Sequence, residues 1–136
     1  MTSRGSSTQR QVKEADFEYF KARCYAWQEK YGLKAWILTV AWERMTDVAD
    51  CFASLTNKEA KIRLKKGKID STYLDGDGLD RLAFHEVGEL LLYTLGDMAE
   101  TGKKFNEEEV TRERHRILNT FENMVFWNGR KNVSNV

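Results

Sequence analysis

Between Gln11 and Tyr31, the apolar residues Phe17, Phe20, Cys24 and Trp27 recur at helical spacing, with Ala15, Tyr19, Ala22 and Ala26 filling the intervals. Gly32 supplies the stop, so this stretch predicts a first helix. Trp36 to Trp42 (WILTVAW) is a β-branched and aromatic run too short for a helix, and Asp47 to Leu55 alternates more weakly. Lys61 to Ile69 (KIRLKKGKI) alternates basic and aliphatic residues, the pattern of a half-buried strand. Its six basic residues from Lys58 to Lys68 are expected to guard an exposed sheet edge. A Gly/Asp loop follows, in which Asp75, Asp77 and Asp80 lack the twelfth-position Glu of a calcium loop. Asp77 therefore reads as a helix N-cap, with Asp80 in the first turn.

Leu79 to Leu95 is apolar on nearly every side, which predicts a buried second helix. Asn106 to about Phe126 is the third, opening with Asn106 as N-cap, Glu109 three residues on, and Phe105 placed to staple onto Val110. Its stripe is Val110, Ile117, Leu118, Phe121, Met124 and Val125. The order helix, three strands, helix, helix implies an α+β domain with one small mixed or antiparallel sheet. Residues 1–10 and 128–136 are polar and aperiodic, so the expected division is a disordered N-terminal tail, a single domain over 11–127 and a polar C-terminal tail.

A length of 136 residues fits one such domain, large enough to enclose a site. The formal net charge of +1 removes any global electrostatic reason to bind nucleic acid or an anionic membrane. No apolar run approaches the ~20 residues of a membrane helix. The polar first ten residues lack the apolar core of a secretory signal, which places the expected location in the cytoplasm. In that reducing compartment Cys24 and Cys51 are expected as free thiols, too few and too far apart for a cysteine zinc cluster. The four tryptophans, at 27, 36, 42 and 127, read as core before anything else.

Chemistry enters with His85, Glu86 and Glu89, which interrupt the apolar second helix. Burying unpaired carboxylates is costly enough that each must meet a partner, a proton or a metal. At 100° per residue, His85 and Glu89 lie one turn apart on one face, as two ligands of one ion would, while Glu86 projects to the side. This is the geometry of the HExxH helix of zinc metallopeptidases with Glu in place of the second His, and zinc accepts carboxylate oxygen as well as imidazole nitrogen. His115 is the only other histidine in the chain and lies on the third helix, where an antiparallel helix pair could return it to the first two. His85, Glu89 and His115 would form a His2Glu set, with Glu113 and Glu109 as substitutes. The competing reading of His115 is a solvated polar flank with Asn119 and Glu122.

The stretches WQEKYGLKAWI (27–37), ADCFASLTNKEAKIRL (49–64), LAFHEVGELLL (82–92) and ERHRILNTFE (113–122) together resemble the small metallopeptidases carried by bacteriophages, a minimal zincin-like family. That resemblance implies an N-terminal helix, a short sheet, an active-site helix and a closing helix. It also implies one zinc ion, a metal-activated water, His85 as ligand and Glu86 as general base. A peptide or protein is then the expected substrate, in a host-cell cytoplasm if the chain is phage-encoded. Glu89 departs from the family pattern. The rival expectation is therefore a catalytically lapsed zincin-fold protein that binds protein partners. A third is nucleic-acid binding through Lys58 to Lys68, with Lys103, Lys104, Arg112, Arg114 and Arg116 as a second patch diluted by neighbouring acids. In the peptidase reading, the basic strand would pair an extended substrate and favour acidic sequences.

Overall fold

The computed structural model describes residues 8–102, 107–123 and 125–126, except for the side chains of 94–95, 97–102, 113 and 116. The expected N-cap Asn106, the staple residue Phe105, Met124, Trp127, Lys103, Lys104, both distal tails and the side chains of Leu95, Glu113 and Arg116 lie outside that description.

The architecture is α+β. Strand β1 (Gln9–Gln11) leads into helix α1 (Glu14–Lys30). Strands β2 (Ile37–Glu43), β3 (Ala49–Ser54), β4 (Glu59–Lys65) and β5 (Lys68–Asp70) follow. A 3-10 turn at Ser71–Tyr73 then precedes α2 (Gly78–Gly102) and α3 (Glu107–Asn123). The polar N-terminal tail expected over 1–10 ends sooner, because Gln9–Gln11 pairs antiparallel with β5. The expected single strand over 61–69 is two strands, bent apart at Lys66 and Gly67, where Gly67 takes a φ of 140° that only glycine adopts without strain.

The three-stranded sheet has the order β2-β4-β3, with β2 parallel and β3 antiparallel to β4. This corrects the edge-strand expectation: β4, the basic strand, is central. Alternation in a strand reports which face is wet, not which edge is free. Ala60, Ile62 and Leu64 of β4 are buried in the core, while Lys61 and Arg63 occupy the opposite, outer face. There, acids on the neighbouring strands meet them. Lys61 Nζ lies 2.7 Å from Glu43 Oε2, Arg63 reaches the same carboxylate at 3.3 Å, and Arg63 forms a two-pronged pair with Asp50 at 2.9 and 2.5 Å. Lys58 stands over the Trp36 ring and Lys66 over that of Trp42. Much of the charge that suggested an anion-binding patch is thus spoken for within the domain.

Helix α2 runs through the middle of the molecule, packed on α1, α3 and the sheet. That placement is why its apolar residues could surround it. Phe17, Phe20, Cys24 and Trp27 of α1 form one buried stripe and join Ala83, Phe84, Val87 and Leu90 of α2 with Leu38, Val40, Ile62 and Leu64 of the sheet. Trp27 stacks on Phe84 at a centroid distance of 5.0 Å, and Phe126 closes on Phe84 at 5.4 Å. Trp27 and Trp36 are core, as the sequence implied, whereas Trp42 is only half-buried. Asp80 ties α2 to α1, accepting from Arg23 Nε at 2.7 Å and from Trp27 Nε1 at 2.8 Å.

Two glycines permit the close approaches around the site. A Cβ on Gly78 would overlap the backbone of Thr72 and Tyr73, so the loop packs directly onto the start of α2. A Cβ on Gly88 would overlap the buried side chain of Leu118, so α3 lies unusually close to α2 just beyond His85. No described helix is long and apolar enough to cross a membrane.

Candidate metal and catalytic site

The close packing of α3 on α2 carries the expected residues to one place. His115 Nε2 lies 2.8 Å from Glu89 Oε2, and His85 Nε2 lies 3.5 Å from the same oxygen. The two imidazoles stand edge to face with centroids 6.1 Å apart. His85, Glu89 and His115 therefore meet at a single carboxylate oxygen, with His115 standing 26 positions beyond Glu89 in the chain. Glu109, offered as a substitute ligand, is an exposed first-turn residue of α3.

Glu122, expected from the sequence only as part of a solvated polar flank beside His115, is a further member of the site. Glu122 Oε1 lies 4.0 Å from His85 Nδ1, on the side of the ring opposite Glu89. Its other oxygen is 3.5 Å from Arg81 Nε. The signal was present as spacing: Glu122 follows His115 by two helical turns, and Arg81 precedes His85 by one, so each shares a face with a histidine.

The electrostatics follow from this arrangement. The hydrogen bond with Glu89 is the main influence raising the His85 pKa; burial works against it, and the charges of Glu86, Glu89 and Glu122 add to the rise. For Glu89, burial pushes upward most strongly. The hydrogen bond from His85 and the charges of His115, His85 and Arg114 together outweigh it, leaving the carboxyl below its ordinary value. Glu86 differs. It is 7% exposed, and among the described residues its carboxylate makes no hydrogen bond or ion pair. Burial lifts its pKa to about 7; His85 counters this, while Glu89, Asp50 and Asp47 reinforce it.

Glu86 also lines a cleft of about 550 Å³, together with His85, Glu122, Arg81 and Asp77. Val48 and Ala49, at the start of β3, form part of the opposite wall. A titratable carboxyl at the floor of a cleft, beside an imidazole pair, is the setting in which a general base operates near neutral pH.

The donor chemistry suits a zinc ion: two imidazole nitrogens and a carboxylate oxygen, with a second carboxylate facing the free nitrogen of one ring. As they stand the donors meet in pairs, and no three described His, Cys, Asp or Glu side chains surround one common point. His115 is half exposed and hydrogen-bonded at 2.8 Å, so coordination would replace that bond. Cys24 and Cys51 are free thiols that burial pushes up, Cys51 to about 12, which leaves them protonated and poor ligands at neutral pH. Compared with known proteins, the chain matches no family model, no curated protein and no solved structure.

Proposed function

We propose that the chain is a zinc-dependent peptidase of the minimal zincin-like, phage-borne type, with His85, Glu89 and His115 as ligands and Glu86 as general base. The observation that carries this reading is the convergence of the chain's two histidines on Glu89 Oε2, beside a buried carboxylate that lines a cleft. Zinc bound there would polarise a substrate carbonyl and bring a water's pKa down toward ~7. The rest is the work of the chain's own groups. Glu86, with a pKa of about 7, is poised to take a proton from water and return it to the leaving amine. Glu122 faces His85 Nδ1 and would hold the ring so that Nε2 points toward Glu89. Strand β3 borders the cleft and has β4 on only one side, leaving its other edge open to an extended chain among the described residues.

Metal analysis of protein purified without chelator or nickel tests the ligand set. One zinc per chain, lost in both His85→Ala and His115→Ala, is expected; zinc retained in both variants, or absent from folded wild type, would refute it. Glu86→Gln is expected to keep zinc and lose hydrolysis of a quenched peptide pool. Unchanged hydrolysis in that variant would remove Glu86 as the base. Zinc bound without hydrolysis in the wild type would favour the rival reading, a binding protein on the same scaffold.

A further inference from the structure

Tyr31 ends α1, with its amide donating to the Trp27 carbonyl at 2.8 Å. Its ring packs against Trp27 and Phe84 at centroid distances of 5.9 and 5.7 Å. Its hydroxyl is buried and has no hydrogen-bond partner among the described residues. A buried donor left in this state is costly, so some state of the protein is expected to pair it. Burial first, and then the charge of Glu122, push the phenol further above its ordinary pKa. It therefore keeps its proton and can meet a carboxylate only as a donor.

The packing explains why Tyr31 and Glu122 are neighbours. Phe84, which Tyr31 touches, also receives Phe126 at 5.4 Å, four positions after Glu122 in the chain. Glu122 lines the cleft and Tyr31 does not, so the phenol stands on the core side of that carboxylate. Glu122 itself is loosely held. Its Oε1 lies 4.0 Å from His85 Nδ1, too far for a hydrogen bond, and its Oε2 lies 3.5 Å from Arg81 Nε. A carboxylate can accept about four hydrogen bonds, so these two neighbours leave room for another donor.

Ligation of His85 through Nε2 would change this balance. Nδ1 must then carry the ring proton, and the added positive charge makes it a stronger donor that draws Glu122 closer. We propose that Tyr31 is a positioning residue of the metal site: with His85 ligated, the Tyr31 hydroxyl donates to Glu122 while Glu122 accepts from His85 Nδ1, and together they hold the imidazole in its ligating orientation. This deepens the proposed ligand set and rests on it. The hydroxyl is stranded in the metal-free chain and paired in the loaded one, so its contribution goes to metal affinity and not to folding.

The test is the zinc affinity of the full-length chain, measured by competition with a chromophoric chelator, beside urea unfolding of the metal-free protein. Tyr31→Phe keeps the ring and its packing and deletes only the hydroxyl. It is expected to weaken zinc binding about tenfold, the effect typical of losing a hydrogen-bond partner behind a metal ligand, with a metal-free urea midpoint no lower than wild type. Glu122→Ala should itself weaken zinc, and adding Tyr31→Phe to it should bring little further loss, because the hydroxyl acts through that carboxylate. Zinc bound by Tyr31→Phe as tightly as by wild type would overturn the inference and leave the ligand set standing. So would an undiminished loss in the Glu122→Ala background, or a lowered metal-free midpoint, which would make the hydroxyl a structural group. A folded wild type that takes up no zinc would remove the ligand set and the inference together.

Discussion

Replacing Glu86 by Gln in the metal-free chain is expected to flatten the pH dependence of folding stability between pH 4.5 and about 7. The carboxyl titrates at its ordinary 4.5 in the unfolded chain and at about 7 in the fold, chiefly because it is buried. Between those values the folded state holds a proton that the unfolded state has released. The stability that this carboxyl contributes is therefore fully present at or below pH 4.5 and is lost as pH rises to about 7. At about 1.4 kcal/mol per pH unit, the window corresponds to a loss of about 3 kcal/mol. Gln carries no titrating proton, and its cost as a buried amide, about 1–3 kcal/mol if unpartnered, is constant across the range. His85, whose pKa is raised in the fold chiefly by its hydrogen bond to Glu89, contributes a loss of the same sign to both proteins; the part of its rise that comes from the charge of Glu86 is missing in the variant and adds to the flattening. Cys51, pushed up to about 12, stays protonated throughout. Urea unfolding followed by tryptophan fluorescence in the presence of chelator, at steps from pH 4.5 to 8, measures the two curves. The variant should gain about 3 kcal/mol on wild type from one end to the other. Parallel curves would mean that Glu86 is hydrated as a surface carboxylate is, and the argument for a poised base would lose its foundation.

Gly88→Ala gains about 1 kcal/mol of helix propensity but forces a Cβ into Leu118, an overpacking cost of about 1–3 kcal/mol. Denaturant unfolding is expected to show no net gain, with zinc occupancy reduced as α3 moves off α2; a variant about 1 kcal/mol more stable than wild type would show that the gap has room. Phe84→Ala removes a fully buried ring stacked on Trp27 and tilted against Phe126 and should cost about 3–5 kcal/mol in a urea titration, with a loss below 1 kcal/mol counting against this core. Zinc at a hundredfold excess over its Kd should stabilise the wild type by about 3 kcal/mol in thermal melts, reversed by chelator. The same addition should leave His115→Ala unmoved; an equal response in that variant would exclude His115 as a ligand.

The amino-acid order by itself determined the three helices, the approximate strands of the three-stranded sheet and the dry faces of α1 and α2, but not β1, the break at Gly67, or the exposure of Phe121 and Val125 on the stripe expected for α3. The stripe Phe17, Phe20, Cys24, Trp27 and the all-round apolar character of 79–95 needed only the 3.6-residue period, because a helix surrounded by partners must be apolar on every side. His85 and Glu89 on one face, with Glu86 beside them, followed from the same period. Tertiary structure alone decided the rest. The pattern of β4 declared a wet face and a dry face, but strand order depends on which edges pair. That choice placed the basic strand centrally, with Glu43 and Asp50 against its charges. The meeting of His115 with Glu89 required the crossing of α2 and α3, which rests on a glycine whose missing Cβ admits Leu118. Glu122 at the second face of His85, and Asp47 brought by its loop within reach of Glu86, arise from contacts far apart in the chain. Periodicity is a property of neighbours in sequence, and a site is a property of neighbours in space; only where one helix carries several of its members do the two coincide.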